Sequence, residues 1–146
     1  MKRICYVASV VLVATAILAG CCNCRSFQRK NQRPLVGTEW QLVQLGGEKI
    51  TPEADRFTLT LQSEESRLVG KGDCNQLMGV YAASESRALN FTQLGSTRML
   101  CPNAELEARF IAALEQTTHY DMDGAMLLLL SNGDLVAVLQ AKQPTK

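Results

Sequence analysis

One histidine in 146 residues, 5% aromatics and a formal charge of +1 leave little material for several kinds of chemistry. The near-neutral balance excludes a basic protein that coats nucleic acid, and 47% hydrophobic against 20% charged residues excludes a disordered acidic tail. Long apolar runs are also scarce, which excludes a multispanning membrane protein. No C-x-x-C is present from residue 25 on, and the lone His119 lies eighteen residues beyond Cys101, so no metal site and no cofactor are expected. What remains has room for one domain, since domains cluster near roughly 100 to 150 residues.

The N-terminus has a distinct organisation. Lys2 and Arg3 precede the uncharged apolar run Ile4 to Ala19. At about 16 residues it falls short of the roughly 20 that a spanning helix needs, and the order of basic, apolar and small residues is that of a secretory signal peptide. Its end, Leu18-Ala19-Gly20-Cys21, is similar to the lipobox of bacterial lipoproteins, which implies cleavage after residue 20 and a diacylglycerol on Cys21. Residues 1–20 are therefore expected to be a signal peptide and 21–34 a lipid-anchored tether. The tether holds Arg25, Arg29, Lys30 and Arg33 with no acid, whereas residues 35–146 carry nine basic and fourteen acidic groups, a balance of −5. Cys22 rather than Asp follows the anchor, which points to an outer-membrane lipoprotein facing the periplasm.

Export permits disulfides. Cys5 leaves with the signal, and with Cys21 acylated four thiols remain, Cys22, Cys24, Cys74 and Cys101, which allow three pairings. Cys22 and Cys24 are one residue apart in the tether, too close for an unstrained bridge. Cys74 and Cys101 both lie in the folded region and are the expected pair.

From Leu35 on, apolar residues mostly recur with period two, between turn residues, which predicts half-buried strands. Trp40, Leu42 and Leu45 precede the Gly46-Gly47 turn, and Phe57, Leu59 and Leu61 follow the Thr51-Pro52 break. Residues 67–71 and 75–81 flank a Gly72-Asp73 turn, and 88–91 and 94–99 are two further extended segments. Pro102 to about Gln116 departs from this pattern. Leu106, Phe110, Ala113 and Leu114 recur at three and four, Pro102 suits a first helical position, and Glu105 and Glu107 suit the positive end of a helix dipole. Phe110 is the expected anchor of this helix on the sheet. Asp123-Gly124 and Asn132-Gly133 are hairpin turns that divide the remainder into a three-stranded meander.

Candidate chemistry is thin. His119 has no accompanying nucleophile motif, Asp121-Met122-Asp123-Gly124 lacks the remaining ligands of a calcium loop, and Gly70-Lys71-Gly72 lacks phosphate-loop spacing. Asn75 and Arg98 stand beside the two folded cysteines. Residues of these types satisfy backbone groups in tight turns, and an exposed Arg98 beside Asn75 would recognise a carboxylate or a headgroup. Met78, Met99 and Met126 offer adaptable apolar surface.

Taken together, Trp40 after Gly37-Thr38, Cys74-Asn75 with Gly79 and Tyr81, Thr97-Arg98-Met99 with Cys101, and Glu107, Phe110 and Leu114 resemble the META or HslJ-like domain of bacterial envelope lipoproteins. The likeness spans about residues 35–141, with Asp73 standing where the family usually has glycine. It implies a mainly β, α+β fold, an antiparallel sheet curled into an incomplete barrel with one helix against it. It further implies a stress-related envelope protein without an agreed reaction. A non-enzymatic protein that binds or stabilises another envelope component is thus expected, with a lipid-binding or pilotin-like secretion chaperone as the alternative and a hydrolase as the weakest reading. The expected partners are the membrane, through the acyl anchor, and an envelope protein or lipid, with no nucleic acid.

Overall fold

The computed structural model describes residues 31–53 and 55–142, so the expected signal peptide and most of the expected tether lie outside the described residues. Among the described residues nine strands form one sheet: β1 Glu39–Leu45, β2 Glu48–Lys49, β3 Thr58–Leu61, β4 Arg67–Lys71, β5 Gln76–Ala83, β6 Leu89–Ser96, β7 His119–Asp123, β8 Met126–Ser131 and β9 Asp134–Ala141. Helix α1 Ala104–Gln116 connects β6 to β7. The strand order is β6-β5-β4-β3-β1-β9-β8-β7, with β2 as a short hairpin partner of β1, and every pair of neighbouring strands is antiparallel. The fold is therefore α+β and mainly β, as expected.

The sheet curls without closing. Its two edges meet at a single antiparallel bridge, Ala88 with His119, supported by Leu89 N–H to the Thr118 carbonyl at 3.0 Å and Tyr120 N–H to the Arg87 carbonyl at 3.0 Å. An ion pair of Arg87 with Asp121 lies beside this bridge. The helix covers the concave side, packing chiefly against β6 and also against β1, β8 and β9.

Two register shifts explain apolar spacings that strict alternation does not. Leu42 and Leu45 are an odd number of residues apart, yet both are buried, because β1 bulges between Leu42 and Gln44 against β9. Likewise, Met78 pairs with Gly95 while Val80 pairs with Thr92, leaving one extra residue on β6, where Gln93 takes a positive φ of 52°. The extended segments expected at 88–91 and 94–99 are consequently one bulged strand. It stops at Ser96, and Thr97 to Asn103 form a loop.

The helix also begins later than Pro102. Asn103 occupies the N-cap position, but its side chain is turned to Asp73 instead of capping the helix. Phe110, Ala113 and Leu114 are buried as the stripe requires, and Phe110 is fully enclosed, its ring meeting Phe57 edge to face at 6.1 Å. Glu107 shares their buried face. At the other end, the buried Thr117 hydroxyl donates to the Ala113 carbonyl at 2.8 Å, and the extended conformation of Thr117 ends the helix.

Candidate functional site

The two cysteine motifs converge. Cys74, just before β5, and Cys101, just before α1, form a disulfide with a Cα–Cα separation of 5.7 Å. Around it lies a buried polar cluster whose centre is Glu107, one turn into the helix. Glu107 Oε2 accepts the Asp73 backbone N–H at 2.8 Å and the Asn75 N–H at 3.4 Å, and Oε1 accepts from Asn75 Nδ2 at 2.7 Å. The carboxylate thereby takes up backbone donors that the turn before β5 would otherwise leave buried and unpaired, each worth about 1 to 3 kcal/mol if orphaned. So close an approach requires Gly72. A Cβ there would fall 2.2 Å from Glu107 Oε2.

Asn75 joins the turn to the loop after β6. Its Oδ1 accepts the Met99 N–H at 2.7 Å and the Thr97 hydroxyl at 2.8 Å, while its Nδ2 also lies 3.3 Å from the Met99 carbonyl and 3.2 Å from Cys101 Sγ. One buried amide thus holds both backbone groups of Met99. Thr97 Oγ1 in turn accepts the Gln76 N–H at 3.0 Å.

Asp73 closes the cluster on the helix side. It is buried, and it accepts from Asn103 Nδ2 at 3.0 Å, from the Asn103 N–H at 2.9 Å and from Arg56 at 2.8 Å. The Asn103 side-chain bond, then its backbone bond, and then Arg56 hold the Asp73 carboxyl below the usual carboxylate range, against the opposing effect of burial. Among the described residues no buried side-chain nitrogen or oxygen lacks a partner.

The outer surface of the same loop is different. Arg98, Met99 and Leu100 are exposed, Leu100 completely, although the backbone beneath them is pinned by Asn75 and the disulfide. Asn75 and Arg98 are therefore neighbours in the loop without forming a joint binding pair: the amide is consumed inside and the guanidinium points outward. His119 is exposed on β7, and its Nδ1 shares a hydrogen bond with Thr118 Oγ1 at 3.0 Å. Gly124 and Ala125 form the β7–β8 turn, with Gly124 at φ +59°, and Asp123 is the last residue of β7.

The META domain pattern matches residues 33–143. The chain belongs to the META domain family. A search of curated proteins finds no match. Among solved structures, a protein from Burkholderia xenovorans is 26% identical with a TM-score of 0.58, covering 75% of this chain and 84% of that one. A second protein structure solved by NMR is 20% identical with a TM-score of 0.59, covering 73% and 91%. A DUF4847 family protein from Bacteroides vulgatus is 18% identical with a TM-score of 0.55, covering 77% and 96%. The last two show the fold alone.

Within this META domain, Arg56, Gly72, Asn103 and the inward role of Glu107 escape a reading of the sequence. Glu107 carries a usable signal: it lies three residues before Phe110 and seven before Leu114, on the apolar face of the helix, where an acid needs a partner. Arg56 and Asn103 carry none, because their shared partner Asp73 is distant in the chain. Asp73 itself has an ordinary backbone, being absent from the positive-φ positions, so the turn before Cys74 does not depend on a glycine at 73.

Proposed function

We propose that this META domain is a non-enzymatic, stress-related envelope protein, anchored through a lipid on Cys21 in the outer membrane and facing the periplasm, that binds another envelope protein through the loop Arg98–Leu100. The observation that carries this reading is the contrast across that loop. From inside, Asn75, itself held by Glu107, and the disulfide fix the loop backbone, whereas two large apolar side chains and a cation are presented to solvent. A rigid apolar display costs little ordering entropy on binding, which is how small interfaces gain affinity. A partner surface that fits it has an apolar pocket with a carboxylate at its rim for Arg98. Against a reading as a lipid carrier stands the space under the helix, which Phe110, Trp40 and Leu139 fill with fully buried side chains.

A photo-crosslinking residue in place of Leu100, in cells, tests the proposal. A discrete protein adduct that disappears when Arg98→Glu and Met99→Asp are added is the expected result. Adducts of lipid alone, or an unchanged adduct in the doubly substituted chain, would overturn it.

A further inference from the structure

A groove of about 480 Å3 opens where the tether joins the domain. Arg33, Pro34 and Leu35 form one wall, and Arg87, Tyr120 and Met122 form the other. Arg33 is exposed and has no hydrogen-bond or ion-pair partner among the described residues. Arg87 is fixed by its ion pair with Asp121, whose Oδ1 also accepts the Met122 N–H at 2.7 Å, and among the described residues its remaining guanidinium N–H groups have no partner. Asp121 offsets one of the two positive charges. The groove therefore combines a net positive charge, two planar donor forks and an apolar-to-aromatic floor.

We propose that this groove seats the phosphate of an anionic phospholipid headgroup, so that the domain lies against the bilayer in one orientation. Guanidinium forks match phosphate oxygens in pairs, which an ammonium does not do. Tyr120 and Met122 are of the types that sit at, or adapt to, a membrane interface. The length of the preceding chain brings the groove to the surface, on the reading that Cys21 is lipidated. Arg33 is twelve residues after Cys21, and at about 3.5 Å per residue the groove is never more than about 40 Å from the anchored sulfur. In sequence, Arg25, Arg29 and Lys30 stand between Cys21 and Arg33, while residues 35–146 carry −5. An anionic surface thus attracts the tether side and repels the rest, which turns the groove toward the headgroups.

The test uses the chain from Cys22 on without any lipid, which keeps every residue of the buried core, all between Trp40 and Ala141. It is sedimented with vesicles of phosphatidylcholine alone and of phosphatidylcholine with phosphatidylglycerol. Binding to the anionic vesicles only is expected, weakened about 30-fold by R33Q/R87Q, the loss of two surface cations. R33K/R87K, which keeps the charge and loses the fork, should weaken it several-fold. R25Q/R29Q/K30Q should leave a clear preference for anionic vesicles. Cooperative unfolding of each variant establishes that it is folded. Unchanged binding of R33K/R87K, or loss of all binding in the tether variant alone, would overturn the proposal and assign the attraction to diffuse tether charge. Because the chain tested has no Cys21, either result leaves lipidation at that residue standing or falling on its own.

Discussion

Asp73 shows what a single buried carboxylate does for this fold. It draws Arg56, from the segment before β3, and Asn103, at the start of the helix, onto the turn before Cys74. Hydrogen bonds to a charged group are worth about 1.5 to 3 kcal/mol each, so Asp73→Asn should cost about 2 to 3 kcal/mol after partial compensation by the new amide. The pH dependence follows from the direction of its shift. A carboxyl held below its ordinary value of 3.8 contributes its full stabilisation above that value and loses it as pH falls through the lower, folded-state value. Urea unfolding at neutral pH and near pH 3 should therefore show a wide gap between the parent and Asp73→Asn that narrows in acid. A gap that stays constant would mean that the charge itself contributes nothing. Asp55, held low chiefly by its hydrogen bond from Lys142, shifts in the same direction, but it is exposed and adds little.

At the scale of elements, the disulfide and Asn75 do related work by different means. The bridge joins residues 27 apart and restricts the unfolded chain, which the loop-closure relation values at about 3.5 kcal/mol. Asn75 holds the folded loop, through both backbone groups of Met99. Replacing Cys74 and Cys101 by Ala together should lower unfolding stability by about 3 to 4 kcal/mol, a large share of the usual 5 to 15. The double variant should still unfold cooperatively, because the Asn75 and Glu107 bonds remain. Loss of a cooperative transition would show that the bridge is needed to form the loop and not only to restrain it. These elements were readable in the chain to different degrees. The strands around Trp40, Leu59 and Leu129 and the Gly-containing hairpins followed from period two and turn chemistry, and Phe110 from the helical stripe. The bulges were not, since an extra residue at Gln93 shifts every later side chain by one face and looks, in sequence, like a break between two strands. The pairing of Cys74 with Cys101 was readable by counting thiols, but the polar cluster around it depends on contacts across about 30 residues that no local pattern records.

For the whole molecule, folding is separable from the proposed anchoring. Every side chain of the buried core lies between Trp40 and Ala141, with Leu35 and Val36 packed at its margin, whereas residues 31–34 are exposed. The domain is tied to what precedes it by short bonds: Trp40 Nε1 donates to the Leu35 carbonyl at 3.1 Å, and the Thr38 hydroxyl to the Pro34 carbonyl at 2.7 Å. A chain starting at Leu35 keeps the first and loses the second, an exposed bond worth about 0.5 to 1 kcal/mol, so its unfolding midpoint should stay within a few degrees of that of the longer chain. Stable membrane residence, by contrast, should depend on Cys21, with the headgroup groove adding only a weak and reversible contact that fractionation does not retain. Two or three acyl chains anchor stably where one is marginal, and basic residues near the surface add only about 1 kcal/mol each. Cys21→Ala should therefore transfer the protein from the membrane to the soluble fraction with its folded stability unchanged. Full membrane retention of Cys21→Ala would remove the lipid from the account. A midpoint lowered by many degrees in the chain from Leu35 would instead mean that the tether packs on the domain, and that the segment carrying Arg33 is as much a part of the fold as of the anchor.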